Sequence, residues 1–202
     1  DDAQMLLRAP AVHKVAPLAV GTSEISFGGR LREVMVAGTT AEFVDVRRLA
    51  LAQGRFLPPG DWRRGASEAV IGAKVRDELF GTEPALGRLV RVGDRRFRIV
   101  GVMAVSGQGL GMNTDELVIV PVALAQAMFN SNTLFRILVE AHGREAIESA
   151  KAQVAEIIKQ RHEGEEDVTV ITQDAVLATF DKLLGALTLA VAGIAAISLA
   201  VA

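Results

Sequence analysis

Residues 87–103 read "GRLVRVGDRRFRIVGVM". Gly93 and Asp94 are a two-residue turn signal, and on both sides of them apolar residues alternate with arginine. Pairing Val92 with Arg95 places Val90, Phe97 and Ile99 on one face. Leu89, Arg91, Arg96 and Arg98 then share the other. The stretch therefore predicts an antiparallel hairpin with one buried and one solvated face.

The segments around this hairpin alternate between the two regular periodicities. Upstream, "EAVIG" (68–72) reads as a short buried strand and "AKVRDELFG" (73–81) as a helix closed by Gly81. Residues 1–9 end a short helix before Pro10. "AVHKVAPLAV" (11–20) and "SEISFGGRLREVMVAGT" (23–39) read as strands, with Gly28 and Gly29 as a hairpin turn. A helical turn opened by Thr39 or Thr40 leads to a short strand ending at Gln53 and Gly54, and "PPGDW" (58–62) is a loop.

Downstream, "DELVIVP" (115–121) is a strand, "VALAQAMFN" (122–130) a helix and "TLFRILVEA" (133–141) a strand. Residues 144–162 form a helix with Ala146, Ile147, Ala150, Val154, Ile157 and Ile158 inward, and "EEDVTVIT" (165–172) is a last strand. The pattern is that of an α+β fold. One α/β unit is expected from residues 1–54 with 133–175, and a β-rich unit from residues 55–132 inserted into it.

The last 20 positions, "LLGALTLAVAGIAAISLAVA" (183–202), hold no charged residue. About 20 helical residues at 1.5 Å each cross a hydrocarbon core of roughly 30 Å. Ala186 with Ala190, and Ala192 with Ala196, have the spacing that lets membrane helices approach closely. Val176, Leu177, Phe180, Leu183 and Leu184 form one helical face just before this run, with Thr172 able to cap and Asp174 in the first turn. Residues 176–202 are therefore expected to be an amphipathic stalk helix running into a transmembrane helix, itself open to truncation.

The charge balance is near neutral, with 22 basic and 24 acidic residues for a formal net charge of −2, which gives no electrostatic case for nucleic acid. Without cysteine there is no disulfide and no thiolate metal site. The glycine-rich run Gly107, Gln108, Gly109, Leu110, Gly111 follows a strand, as phosphate loops do. It nevertheless fails the dinucleotide spacing at Met112, leads into a strand rather than a helix, and has no Gly-Lys-Ser/Thr. It is expected to be an exposed inter-strand loop able to contact a partner. His13, His142 and His162 stand alone in sequence, without zinc-site spacing, and no nucleophile elbow is present. No catalytic, cofactor or metal site is expected in the chain. The Arg91, Arg96 and Arg98 face is the other candidate contact, suited to an acidic partner.

In their order, "LAQGRFL", "EAVIGAKVRDELFG", "ALGRLVRVGDRRFRIVGVM", "DELVIVPVALAQAMF" and "RILVEA" resemble the MacB-like periplasmic core domains of MacB/FtsX-type ABC transporter permeases. The resemblance covers most of residues 10–180. It implies a porter-like subdomain carrying an inserted sabre-like one, with the apolar C-terminal run as the family's second membrane helix. It also implies a non-catalytic domain on the periplasmic side of a bacterial inner membrane. ATP and Mg would act at a separate cytoplasmic ATP-binding domain or subunit, and long helices would carry the motion outward to export or release substrate. A homodimeric transporter, a periplasmic adaptor and an outer-membrane channel are implied as partners. An FtsX-like module that signals to a cell-wall hydrolase without transport is the alternative. One membrane helix before residue 1 and two more after residue 202 are expected.

Overall fold

The fold is that of a computed structural model, which describes residues 2–106, 113–131, 133–161, 169–172, 186–188 and 190–191. The chain divides into two units, residues 1–142 and 143–202.

The first unit opens with the helix α1 (Asp2–Leu6) and the 16-residue strand β1 (Val12–Phe27). Two strands are expected over this stretch, but Gly21 does not interrupt the ladder. The ring of Phe129 occupies the space where a Cβ of residue 21 would stand, so the missing side chain is replaced by packing from elsewhere. Gly28 and Gly29, both at positive φ (56° and 81°), turn the chain into β2 (Arg30–Thr39). The β1–β2 register runs from Phe27↔Arg30 to Ala19↔Gly38. Beyond that, β1 changes partner, and its residues from Leu18 back to Val12 pair with β8 (Arg136–Ala141). Pro17 lies in this stretch, where its lack of an N–H is tolerated, and its carbonyl accepts the Thr39 hydroxyl at 2.7 Å. Thr39 is thereby committed to β1 and does not cap the helical turn that follows, α2 (Phe43–Val46).

Next come β3 (Leu51–Gly54), β4 (Glu68–Ile71), α3 (Ala73–Phe80), β5 (Leu89–Val92) and β6 (Arg95–Met103). A 3-10 turn at Thr114–Glu116 takes the first two residues of the expected strand at 115–121. β7 is Leu117–Pro121 and α4 is Val122–Met128. Among the described residues the eight strands join in the order β2-β7-β4-β6-β5-β1-β8, with β3 on β6. Because β1 also pairs with β2, six of them close on one another. The closing seam between β1 and β5 is only Ile25↔Val92 and Ser26↔Arg91. Closure leaves few open edges for another chain to extend.

The sheet buries apolar residues on both faces. One face carries Ile25, Val34, Val36, Ile71, Val90, Val92, Phe97, Ile99, Val118 and Val120 beneath α3 and α4. The other carries Ala37, Val70, Met103, Leu117 and Ile119, covered by Phe43 of α2 and by Phe56 and Leu57. α4 can lie this close because β2 has glycine beneath it. A Cβ on Gly38 would overlap the Cβ of Ala125 and stand 3.3 Å from the Val122 Cα. α3 buries Val75, Leu79 and Phe80 in this core, and ion pairs add to that hold: Arg32 on β2 pairs with Glu78, and Lys74 reaches Glu116 at 2.7 Å. The hydrogen bond from Lys74 holds the Glu116 carboxyl below its ordinary pKa.

The second unit holds a 3-10 turn (Arg144–Ala146) and α5 (Ile147–Arg161); of the residues expected inward, Ala150, Val154 and Ile158 are buried, whereas Ala146, in the 3-10 turn, Ile147 and Ile157 are half-buried. The final strand expected at 165–172 is absent from residues 169–172, where Ile171 is 70% exposed and no ladder buries it. Residues 165–168 lie outside the described residues. So does most of the apolar run at 183–202, in which residues 186–188 and 190–191 are helical. Among the described residues no helix is long and apolar enough to cross a membrane.

Two substitutions test this packing. Gly38→Ala should lower stability by about 1–3 kcal/mol through overpacking, read by chemical denaturation. Adding Ala125→Gly should recover a large part of the loss, because it removes the atom that the new methyl meets. Asp115 accepts a 2.7 Å hydrogen bond from the Ser106 N–H, and its own N–H donates to the Asn113 side chain. Asp115→Ala should therefore speed amide exchange at Ser106 and proteolytic cleavage between residues 106 and 113, while exchange in β4 and β6 stays unchanged.

Candidate functional site

The hairpin at 87–103 forms in the expected register, Val92↔Arg95, Arg91↔Arg96, Val90↔Phe97 and Leu89↔Arg98. Gly93, at φ 59°, supplies the positive φ for the turn. Strand alternation then sorts the side chains. Val90, Val92, Phe97 and Ile99 are at most 1% exposed, while Leu89, Arg91, Arg96 and Arg98 face outward.

Neighbouring strands extend this outward face. Ser26 on β1 stands opposite both Arg91 on β5 and Leu31 on β2, so Leu31, Ser26, Arg91 and Arg96 form one row across four strands. One step along β1, Glu24 stands opposite Glu33, also exposed. On the other side of the row, Arg98 sits between Leu89 and Glu68. Leu31 (64%), Leu89 (53%) and Met35 (44%) add exposed apolar area to the same face. Two of the guanidinium groups are oriented by backbone carbonyls: Arg91 Nε donates to Gly93 at 2.8 Å and Arg98 Nη1 to Gly87 at 3.1 Å.

Thus the structure brings Arg91, Arg96 and Arg98 together and adds Leu31, Met35, Glu24 and Glu33, which the local sequence pattern does not reveal. Only the β1–β5 seam makes those residues neighbours. The face is also not simply basic, since an arginine pair lies beside a glutamate pair. Gly107, Gln108, Gly109, Leu110 and Gly111 lie outside the described residues; their flanks, Ser106 and Asn113, are both hydrogen-bonded to Asp115.

A separate cleft of about 490 Å³ lies at the end of β2, lined by Thr40, Leu57, Pro58, Pro59, Trp62 and Pro121 among others. Thr40, 8% exposed, has a hydroxyl without a hydrogen-bond partner. Among the described residues no three His, Cys, Asp or Glu side chains gather to hold a metal. What the outward face can do chemically is bind: it offers apolar area, fixed guanidinium groups and a row of opposite charge.

The model of the MacB-like periplasmic core domain family matches residues 1–157. The macrolide export ATP-binding/permease protein MacB of Rhodopseudomonas palustris (strain HaA2) is 32% identical over 203 residues, an alignment covering 99% of this chain and 31% of that protein. The pyoverdine export ATP-binding/permease protein PvdT of Pseudomonas entomophila (strain L48) is 28% identical, covering 100% of this chain and 31% of that protein. The chain therefore spans about a third of the length of these curated relatives. Among solved structures, the periplasmic region of MacB from Actinobacillus actinomycetemcomitans superposes with a TM-score of 0.77 at 21% identity, covering 89% of this chain and 81% of that one. The extracellular domain of the noncanonic ABC-type transporter YknZ from Gram-positive bacteria gives 0.72 at 22% identity, covering 85% and 87%. These likenesses establish a shared fold. The chain belongs to the family of MacB-like periplasmic core domains, found in ABC transporter permeases.

Proposed function

We propose that this chain is the extracytoplasmic domain of an inner-membrane ABC transporter permease, and that it passes ATP-driven motion outward to export or release a substrate without doing chemistry itself. The observation that carries this reading is the alignment with an export ATP-binding/permease protein over 99% of the chain. ATP and Mg would act at a separate cytoplasmic domain or subunit. The apolar run at 183–202 would be the membrane helix that delivers the motion. Leu187 and Val191, one helical turn apart and 63% and 59% exposed, suit contact with lipid.

In this reading the Leu31–Ser26–Arg91–Arg96 row, with Arg98, Met35 and Leu89, is the face that meets a periplasmic adaptor, and the loop at 107–111 is a second contact. An outer-membrane channel and a homodimeric assembly belong to the same proposal. So does the division into porter-like and sabre-like parts. The change of partner along β1, from β8 to β2, supports such a division.

The test uses the full transporter carrying this domain. Arg91→Glu with Arg96→Glu puts four acidic side chains on adjacent rows, and like charges against a complementary partner cost several kcal/mol. Substrate export by cells should fall by about tenfold or more while basal ATP hydrolysis of the purified transporter persists. Export at the parent rate would remove the face from the mechanism. Loss of a hydrolase-dependent phenotype with no exported substrate would favour the signalling role over transport.

A further inference from the structure

His13 and His142 lie far apart in the sequence, and no local spacing joins them, yet the fold places them side by side. The β1–β8 ladder steps from Val12↔Ala141 to Lys14↔Glu140, so His13 is the extra residue of a β-bulge. The His142 N–H continues the pairing past the end of β8 by donating to the Ala11 carbonyl at 3.2 Å. The two imidazole ring centres are 4.9 Å apart, with planes tilted by 48°, and both side chains are exposed.

A centroid separation of 4.9 Å with tilted planes falls within the roughly 4.5–7 Å at which paired aromatic rings pack. It also matches two imidazoles bound cis to one metal ion. Metal–nitrogen bonds of about 2.0–2.1 Å, ring centres about 1.1 Å farther out and an angle of roughly 90–110° put the ring centres about 4.5–5.2 Å apart. Imidazole suits copper, zinc and nickel. Of the nearby charges, Lys14 pairs with Asp45 at 2.7 Å, while Glu140, opposite Lys14 in the ladder, keeps one carboxylate oxygen without a hydrogen-bond partner. With no third protein ligand gathered among the described residues, water would complete the coordination.

We propose that His13 and His142 chelate one divalent transition-metal ion of the copper or zinc class, clamping the start of β1 to the end of β8 at the bulge. A bulge is where a ladder is locally broken, so a two-ligand bridge there restores a connection that the backbone lacks.

The experiment is titration of the 202-residue chain with Cu²⁺ alone, followed by electron paramagnetic resonance and thermal unfolding. One ion per chain should bind with a two-nitrogen hyperfine pattern, and Tm should rise with added metal because the ion binds the folded form. His13→Gln and His142→Gln should each weaken binding by at least about tenfold and abolish the two-nitrogen pattern. His162→Gln should change neither. Both substituted side chains are exposed, and unchanged circular dichroism would show that the fold persists. Parent-like binding in either variant, or a signal that follows His162, would overturn the proposal.

Discussion

Strand β1 is the constraint on which the first unit depends. Its residues from Val12 to Leu18 are hydrogen-bonded to β8, those from Ala19 to Phe27 to β2, and Ile25 and Ser26 also to β5. The last of these ladders closes six strands on one another through two residue pairs. So short a seam contributes little hydrogen bonding of its own. Ile25 and Val92, both at 0% exposure on the buried face, bring apolar burial to the same place, of the order of 1.5–3 kcal/mol for each side chain. The turn at Gly93 adds a hydrogen bond from its N–H to the Glu24 carbonyl at 2.9 Å. Hairpin and seam are thus held together, and the outward arginines keep their neighbours only while both persist.

The helices are positioned by what β1 and β2 lack. Gly21 leaves room for the Phe129 ring and Gly38 for Ala125, so α4 lies against the backbone of both strands. Close approach of this kind fixes the distance between helix and sheet, since a packed interior tolerates little extra volume. α3 buries Val75, Leu79 and Phe80 in the same core, and Arg32, Glu78, Lys74 and Glu116 also join β2, the helix and the turn before β7. Asp115 in that same turn braces both ends of the glycine-rich segment. Packing therefore fixes both helices, and a charged cluster also ties α3 to the base of a loop.

Much of this was legible in the sequence, because alternation and turn chemistry are local. The 87–103 hairpin, its register, its buried face and its arginine face all follow from period two around Gly93 and Asp94. So do the β1–β2 turn and the helices α3, α4 and α5. Several of the readings that fail involve long-range partners. Gly21 was not readable as strand interior, because the ring that fills its place arrives from beyond α4. Thr39 has the chemistry of a cap, and the Pro17 carbonyl claims it. Leu31, Met35, Glu24 and Glu33 join the arginine face only through a two-residue seam, and His13 meets His142 only through the β1–β8 ladder. No local periodicity encodes either.

The charges on the outward face bear on what that face is for. Arg91 stands directly opposite Arg96, and Glu24 directly opposite Glu33. Like charges in such positions destabilise a sheet, by amounts comparable to the 0.2–1 kcal/mol or so that opposite charges contribute. An exchange of Arg91 with Glu24 would turn both repulsive pairs into attractive ones and keep the same composition. Folding alone therefore gives no reason for the observed arrangement, and three exposed apolar side chains beside it add no stability to the free domain. A partner with acidic groups over the arginines and basic groups over the glutamates would relieve both repulsions at once while covering Leu31, Met35 and Leu89. Such a face gains more from a complementary partner than a sheet surface already neutralised within itself.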